Sequence, residues 1–369
     1  MNLLRLLSVA LFAAISTVAG YDNTACNNSP ALCSVPYNRV LHLGAHNSAF
    51  VRTVANNFNV AGNQYFNATT QLSAGVRLLQ SQMHIDGGIV KLCHTTCFLF
   101  DGGALLTWLS DIAGWMRSNP SEVVTVLLVN DDKIAPATLK ALFEQAGLGD
   151  LGFVPTAPGV WPTLGEMVKN GTRLVTFLST GADIKVAPRL LPEFDYLFET
   201  PFETFSPSTF SCQADRPSGV AGAEATTALM PLMNRFFYDV MSQQLKMYKS
   251  NSTYSATLNS DAGIGNLADG VATCLKSWGG RQGGFVLLDS VNEGNAVAIV
   301  DRFNNVTKPY NRIDFPENPK ETAEKAQADA EMGWARIQKL SGEAHSGSEV
   351  KAGSWVWFAG NWVGSFGTM

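Results

Sequence analysis

Val40-Leu41-His42-Leu43-Gly44-Ala45-His46-Asn47-Ser48 is the stretch on which the fold turns. A short apolar run ends in a polar turn, the way a buried strand hands over to a loop. The same unit recurs along the chain. Val76–His84 and Val90–Cys93 are further strand candidates, and Val123–Val129, rich in β-branched residues, is the clearest one. Arg173–Leu178, Phe194–Phe198 and Phe285–Leu288 continue the series. Between them, Leu105–Met116 carries Trp108, Leu109, Ile112 and Trp115 at helical spacing, and Leu139–Ala146 and Leu229–Met247 also read as helices. Strands alternating with helices predict a parallel α/β fold. About seven strands, no Gly/Ser/Pro linker tract and no G-x-G-x-x-G favour a single TIM-like (β/α) barrel over a doubly wound sheet.

Composition narrows the class. The 369 residues are 46% hydrophobic and 15% charged, which excludes a disordered tail protein. A net charge of −5 with only 26 Lys plus Arg, and no basic stripe, argues against nucleic acid as a partner. No obligate protein partner is evident. Residues 1–20 combine Arg5, an apolar core and the small exit Val18-Ala19-Gly20, the pattern of a secretory signal peptide. The barrel domain is expected over residues 21–306. Residues 307–369 read as a charged helix, Glu317–Lys339, followed by the Trp/Gly-rich tail Gly353–Met369. Small residues at Ser346-Gly347-Ser348 raise the alternative that the tail is a lipid-anchor signal, although Asn361 interrupts its apolar run. A secreted or extracellular location is expected, with the cell surface as its variant.

Six cysteines fit that compartment. The local pairs Cys26–Cys33 and Cys93–Cys97 are the economical choice and leave Cys212–Cys274. Asn27, Asn67, Asn170, Asn251 and Asn305 each open an N-x-S/T sequon and are expected to be glycosylated.

The chemistry is read from strand ends. Of the five histidines, His46 and His94 directly follow apolar strands, where a barrel places its active site. Two imidazoles there are able to act as general base and general acid. Gln80, Gln82 and His84 are spaced by two, so on a strand they share a face; with Asn47 they are candidate substrate-binding residues. Asp289 closes Phe285-Val286-Leu287-Leu288 and is placed to orient a histidine. A zinc site at Cys93, His94 and Cys97 is disfavoured, because neighbouring ligands do not share one tetrahedral ion easily.

Gly44-Ala45-His46-Asn47-Ser48, Gly75-Val76-Arg77-Leu78-Leu79-Gln80-Ser81-Gln82 and Leu92-Cys93-His94 together resemble the X region of phosphatidylinositol-specific phospholipase C. The likeness extends to the secreted fungal phospholipase C-like phosphodiesterases and covers about Val40–Asn304. It implies a TIM-like barrel that cleaves a phosphodiester with His46 as base, His94 on the phosphoryl oxygens and Asp289 supporting His46. It implies a phosphodiester small molecule or lipid headgroup as ligand and a membrane surface as a further partner. Calcium-dependent members place acidic ligands where this chain has Gln80 and Gln82, and metal-independent ones place an arginine at Gln82. Neutral amides are poor calcium ligands, so the expectation is no cofactor and no metal. Two alternatives remain open: a catalytically impaired barrel that binds lipid or sugar phosphates, and a glycosidase using two of Asp86, Asp131 and Asp289.

Overall fold

The computed structural model describes residues 25–157, 159–220, 228–242 and 247–324. The expected signal peptide and Trp/Gly-rich tail lie outside these residues, as does most of the charged helix. Among the described residues there are twelve strands: β1 Leu41–Ala45, β2 Leu78–Asp86, β3 Ile89–Cys93, β4 Asp101–Ala104, β5 Val124–Val129, β6 Leu174–Leu178, β7 Leu190–Pro192, β8 Leu197–Glu199, β9 Met230–Asn234, β10 Tyr238–Ser242, β11 Met247–Ser250 and β12 Gly284–Leu288. Eight of them form one parallel sheet in the order β7-β6-β5-β2-β1-β12-β9-β8. That is the cyclic chain order of a (β/α) barrel, with the ladder open between β7 and β8.

Period-two alternation sorts the strand residues onto an inner and an outer face. In β12, Phe285 and Leu287 join the interior cluster with Tyr37, Leu127, Phe177 and Leu232. Val286 and Leu288 face the other way, into the layer shared with Leu105, Leu109 and Ile112 of helix Leu105–Ser118. In β1, Leu41, Leu43 and Ala45 pack outward, so His42, Gly44 and His46 fall on the inner parity. Gly44 is required by close approach: a Cβ there would lie 2.9 Å from the Val286 carbonyl and 3.0 Å from Leu78. At the amino end of the barrel, His42 is stacked on Phe285, and its Nε2 lies 3.0 Å from the Tyr37 carbonyl.

Three sequence expectations are corrected. Val90–Cys93 is a strand, as expected, but it does not count towards the barrel; it folds back as β3, antiparallel to β2, because the Gly87-Gly88 turn reverses the chain. Leu229–Met247 is not a helix. Met230–Asn234 forms β9, and Tyr238–Ser242 pairs antiparallel with Met247–Ser250 as β10 and β11. Burial on both faces of β9 removes the alternation that would have marked a strand. Phe194–Phe198 splits into a 3-10 turn, Glu193–Asp195, and β8.

All three disulfides form as expected, Cys26–Cys33, Cys93–Cys97 and Cys212–Cys274. The amino-terminal loop is also held by charge. Arg77 pairs with Glu122 at 2.5 Å, and its guanidinium donates to Asn28 Oδ1 at 2.6 Å. Residues after 306 continue along the barrel: Tyr310 N–H donates to the Asn28 carbonyl and Ile313 N–H to that of Ser73.

Candidate active site

Inner parity carries the polar residues to the carboxyl ends of the strands. Gln80, Gln82 and His84 from β2, Asn234 from β9, Glu199 from β8 and His46 after β1 line one cleft of about 330 Å³. Phe236, Tyr238, Glu193, Arg216, Thr95 and Asp131 complete much of its wall.

His46 and Asp289 meet from loops that follow neighbouring strands, since β1 pairs with β12 in register. His46 Nδ1 lies 2.8 Å from Asp289 Oδ1. Both residues are buried, at 6% and 4% exposure. Asn63 Nδ2 donates to the same Asp289 oxygen at 2.9 Å, and the Ser250 hydroxyl donates to the other. Burial alone would push the Asp289 carboxyl up. The His46 charge and the hydrogen bonds from His46, Ser250 and Asn63 outweigh it and hold the group below the usual carboxylate range. The bond at Nδ1 fixes the imidazole so that Nε2 is left for a proton from a nucleophile. Phe236 stacks on the His46 ring with centroids 3.8 Å apart. Gln64 Nε2 donates to the carbonyls of both His46 and Leu288, which pins the two loops to each other.

His94 is linked to the His46 loop through Asn47. Its Nδ1 lies 2.5 Å from the Ala61 carbonyl, which only accepts, so that nitrogen carries the proton. Nε2 lies 3.3 Å from Asn47 Nδ2, and the ring stacks on Phe50. Burial lowers the His94 pKa, against the opposing bond to Ala61. The Cys93–Cys97 disulfide closes the loop that presents it.

The two glutamines hold loops. Gln80 Oε1 accepts the Asn47 N–H at 2.6 Å, and Gln82 Oε1 accepts the Thr95 N–H at 2.9 Å. Both acceptor oxygens are thus committed to backbone donors. Asn47 Oδ1 is buried without a hydrogen-bond partner, a lone neutral oxygen. Among the described residues there is no group of three or more His, Cys, Asp or Glu suited to a metal. This donor set does not fit calcium, which favours several anionic oxygens.

Asp86 of the glycosidase alternative is bound to Lys91 at the hairpin, and Asp289 is engaged by His46. Neither offers a free carboxylate to the cleft.

Sequence reasoning missed the opposite wall. Glu193, Glu199 and Arg216 meet there, with Arg216 paired to Glu199 at 2.5 Å and Asn234 Nδ2 donating to Glu199 at 3.0 Å. Burial and the neighbouring Glu199 raise Glu193 well above the carboxylate range. Glu199 is also buried, but its bonds to Glu193, Arg216 and Asn234 keep it low. Glu199 closes an apolar strand, the same signal that marked Asp289. Arg216 sits on an irregular loop and has no such signal.

The sequons separate by exposure. Asn67, Asn170 and Asn305 are exposed and Asn251 is half-buried. Asn27 is 5% exposed and its Oδ1 accepts the Val123 N–H, so a glycan there is incompatible with this packing.

The fold is thus a parallel (β/α) barrel with a buried imidazole–carboxylate pair at the carboxyl ends of its strands, an arrangement able to carry acid–base chemistry. Comparison with known proteins makes the assignment specific. The PI-PLC X family model matches residues 32–304. A PI-PLC X domain-containing protein 1 of Arthroderma benhamiae is 33% identical over 288 residues, covering 77% of this chain and 90% of that protein. An uncharacterized secreted protein of the same fungus is 31% identical over 290 residues, 76% of this chain; this chain spans 64% of that protein's length. Among solved structures, the phosphatidylinositol-specific phospholipase C of Listeria monocytogenes aligns at 13% identity with a TM-score of 0.47, covering 75% of this chain and 96% of that one. The chain belongs to the PI-PLC X family.

Proposed function

We propose that the chain is a secreted phosphoric diester hydrolase or lyase that works without calcium. The His46–Asp289 pair carries this reading. His46 Nε2 takes the proton of the attacking hydroxyl, and Asp289 stabilises the imidazolium that forms. His94, joined to Asn47 beside the base, acts on the phosphoryl oxygens. The commitment of Gln80 and Gln82 to backbone donors supports a metal-free reaction. The substrate class is a lipid headgroup or soluble phosphodiester, met at a membrane surface in the former case.

One observation favours a second reading, a barrel that binds such ligands without turnover. Arg216, which lines the cleft, is already neutralised by Glu199, so its charge is not free for a phosphate.

The test is turnover of phosphatidylinositol vesicles and of soluble glycerophosphodiesters, with calcium or EDTA, beside His46→Ala. Cleavage that survives EDTA and is lost in His46→Ala supports the proposal. Cleavage that requires calcium refutes the metal-free mechanism. Ligand retention with no turnover in either protein supports the binding reading.

A further inference from the structure

Residues 307–324 follow helix Ala296–Phe303, and none of them lines the cleft. They are nonetheless held at defined points. Tyr310 is tied to Asn28 in both directions, its N–H donating to the Asn28 carbonyl and its carbonyl accepting from Asn28 Nδ2. Arg312 pairs with Asp301 of the helix, and Ile313 N–H donates to the Ser73 carbonyl. From there the segment reaches the loops that build the site. The Phe315 ring lies 5.6 Å from that of Phe66, and Asn318 Nδ2 donates to Glu293 Oε1 at 3.0 Å.

Phe66 and Glu293 belong to the two loops that meet at Asp289. In the first, Asn63 Nδ2 donates to Asp289, and Gln64 Nε2 donates to the His46 and Leu288 carbonyls. The second runs on from Asp289 itself. Two bonds stitch the loops together: Ser290 N–H donates to the Asn63 carbonyl at 2.7 Å, and Val291 N–H to Gln64 Oε1 at 3.1 Å. Phe315 and Asn318 touch the next residues out on either side, Phe66 two positions after Gln64 and Glu293 two after Val291. The segment thus crosses the seam between the loops from outside. Phe66 is also joined to the His46 loop, because Gln71 Nε2 donates to both the Phe66 and the Ser48 carbonyls. Elsewhere the segment packs loosely. A cavity of about 450 Å³ lies between it and the preceding helix, lined by Ala298 and Asp301 on one side and Pro309 and Asp314 on the other. A layer whose role is core burial packs without such gaps.

We infer that residues 307–324 clamp these two loops together, with Phe315 and Asn318 as positioning residues for the His46–Asp289 pair. The inference rests on the catalytic reading of that pair and adds to it the element that sets its spacing. Asp289 takes one bond from His46 and one from Asn63, so a slip of one loop against the other strains both. Misplacing a catalytic group by about 1 Å, even from a distant substitution, costs up to about 10²-fold in rate.

The experiment uses the full chain and combines Phe315→Ala with Asn318→Ala, on the wild-type background and on Asp289→Asn. On a soluble glycerophosphodiester the double variant should lose about tenfold in kcat with KM within about twofold, since the pair is displaced and the ligand's other contacts are not. Phe315→Leu, which keeps an apolar contact on Phe66, should stay within about twofold of wild type. On the Asp289→Asn background the same double substitution should change kcat by less than about twofold, because groups that act through one contact are not additive. A urea melt on each preparation establishes that it is folded, and Asn318→Ala alone replaces the double variant if that one is unfolded. Proton NMR gives a readout independent of turnover. The His46 Nδ1 proton, assigned by its loss in His46→Ala, should exchange with solvent about tenfold faster in the clamp variant. Unchanged kcat in a folded double variant, or an equal loss on both backgrounds, overturns the clamp and leaves the phosphodiesterase reading intact. If wild type turns over no diester, that reading falls and proton exchange decides the clamp, equal rates overturning it.

Discussion

Asp289→Asn isolates charge from shape at the centre of the site. The substitution keeps the size of the side chain, and an amide oxygen at the Oδ1 position still accepts from His46 Nδ1 and Asn63 Nδ2. The new amide faces the Ser250 hydroxyl, which is free to turn and accept. What disappears is the negative charge beside the imidazolium formed in the reaction. With charge centres about 4 Å apart and an effective dielectric of about 20, that attraction is about 4 kcal/mol. At about 1.4 kcal/mol per decade the expected loss in kcat is about 10³-fold. Asp289→Ala is the wrong variant, since it leaves three buried donors unpaired at about 1–3 kcal/mol each. The assay is initial rate on a soluble phosphodiester, with a urea melt on the same preparations. Asp289→Asn with kcat within tenfold of wild type would falsify the dyad. A loss matched by unfolding in the melt would mean that Asp289 is a packing residue instead.

Two stability predictions follow from buried groups at the opposite end of the barrel. Burial lowers the His42 imidazole to about 4 from an ordinary 6.5, with the Tyr37 bond opposing. The unfolded chain then binds the extra proton, so stability is full above about pH 6.5 and falls by about 3 kcal/mol as pH drops towards 4. Urea denaturation at several pH values should show that slope, and His42→Gln should flatten it; an unchanged slope would contradict the assignment. Glu122→Gln removes the charge facing buried Arg77 and should cost about 3–5 kcal/mol, read as a lower urea midpoint. A midpoint equal to wild type would show that Asn28 and the Leu72 and Val76 carbonyls suffice for Arg77.

Much of the architecture was legible because the interior imposes its period on the strands. Leu43, Ala45 and Val126 alternate with inward residues, and the strand ends at His46 and Asp289 are marked by an abrupt change from apolar to polar. The β9 region misled because residues buried on both faces look the same to a helix and a strand. The β3 hairpin misled because its residues have strand character and only the Gly87-Gly88 reversal decides their direction. Of the candidate site, Asp289 was found by its position at a strand end. Asn63 and Ser250, which hold it, were not, since nothing local distinguishes an amide or hydroxyl that packs against a carboxylate hundreds or tens of residues away.

The sequence by itself determined the parallel α/β character, the two short-range cysteine pairs and the strand ends that carry His46 and Asp289. Each of these follows from local pattern: alternation, short loop separation, and the residue that ends a strand. Only the tertiary structure decided that Gln80 and Gln82 serve backbone donors, that Arg216 answers Glu199, and that His84 is tied to Asp132. Those facts are distances between chain segments far apart in order, and a polar side chain's chemistry is set by the partner that reaches it when the barrel forms.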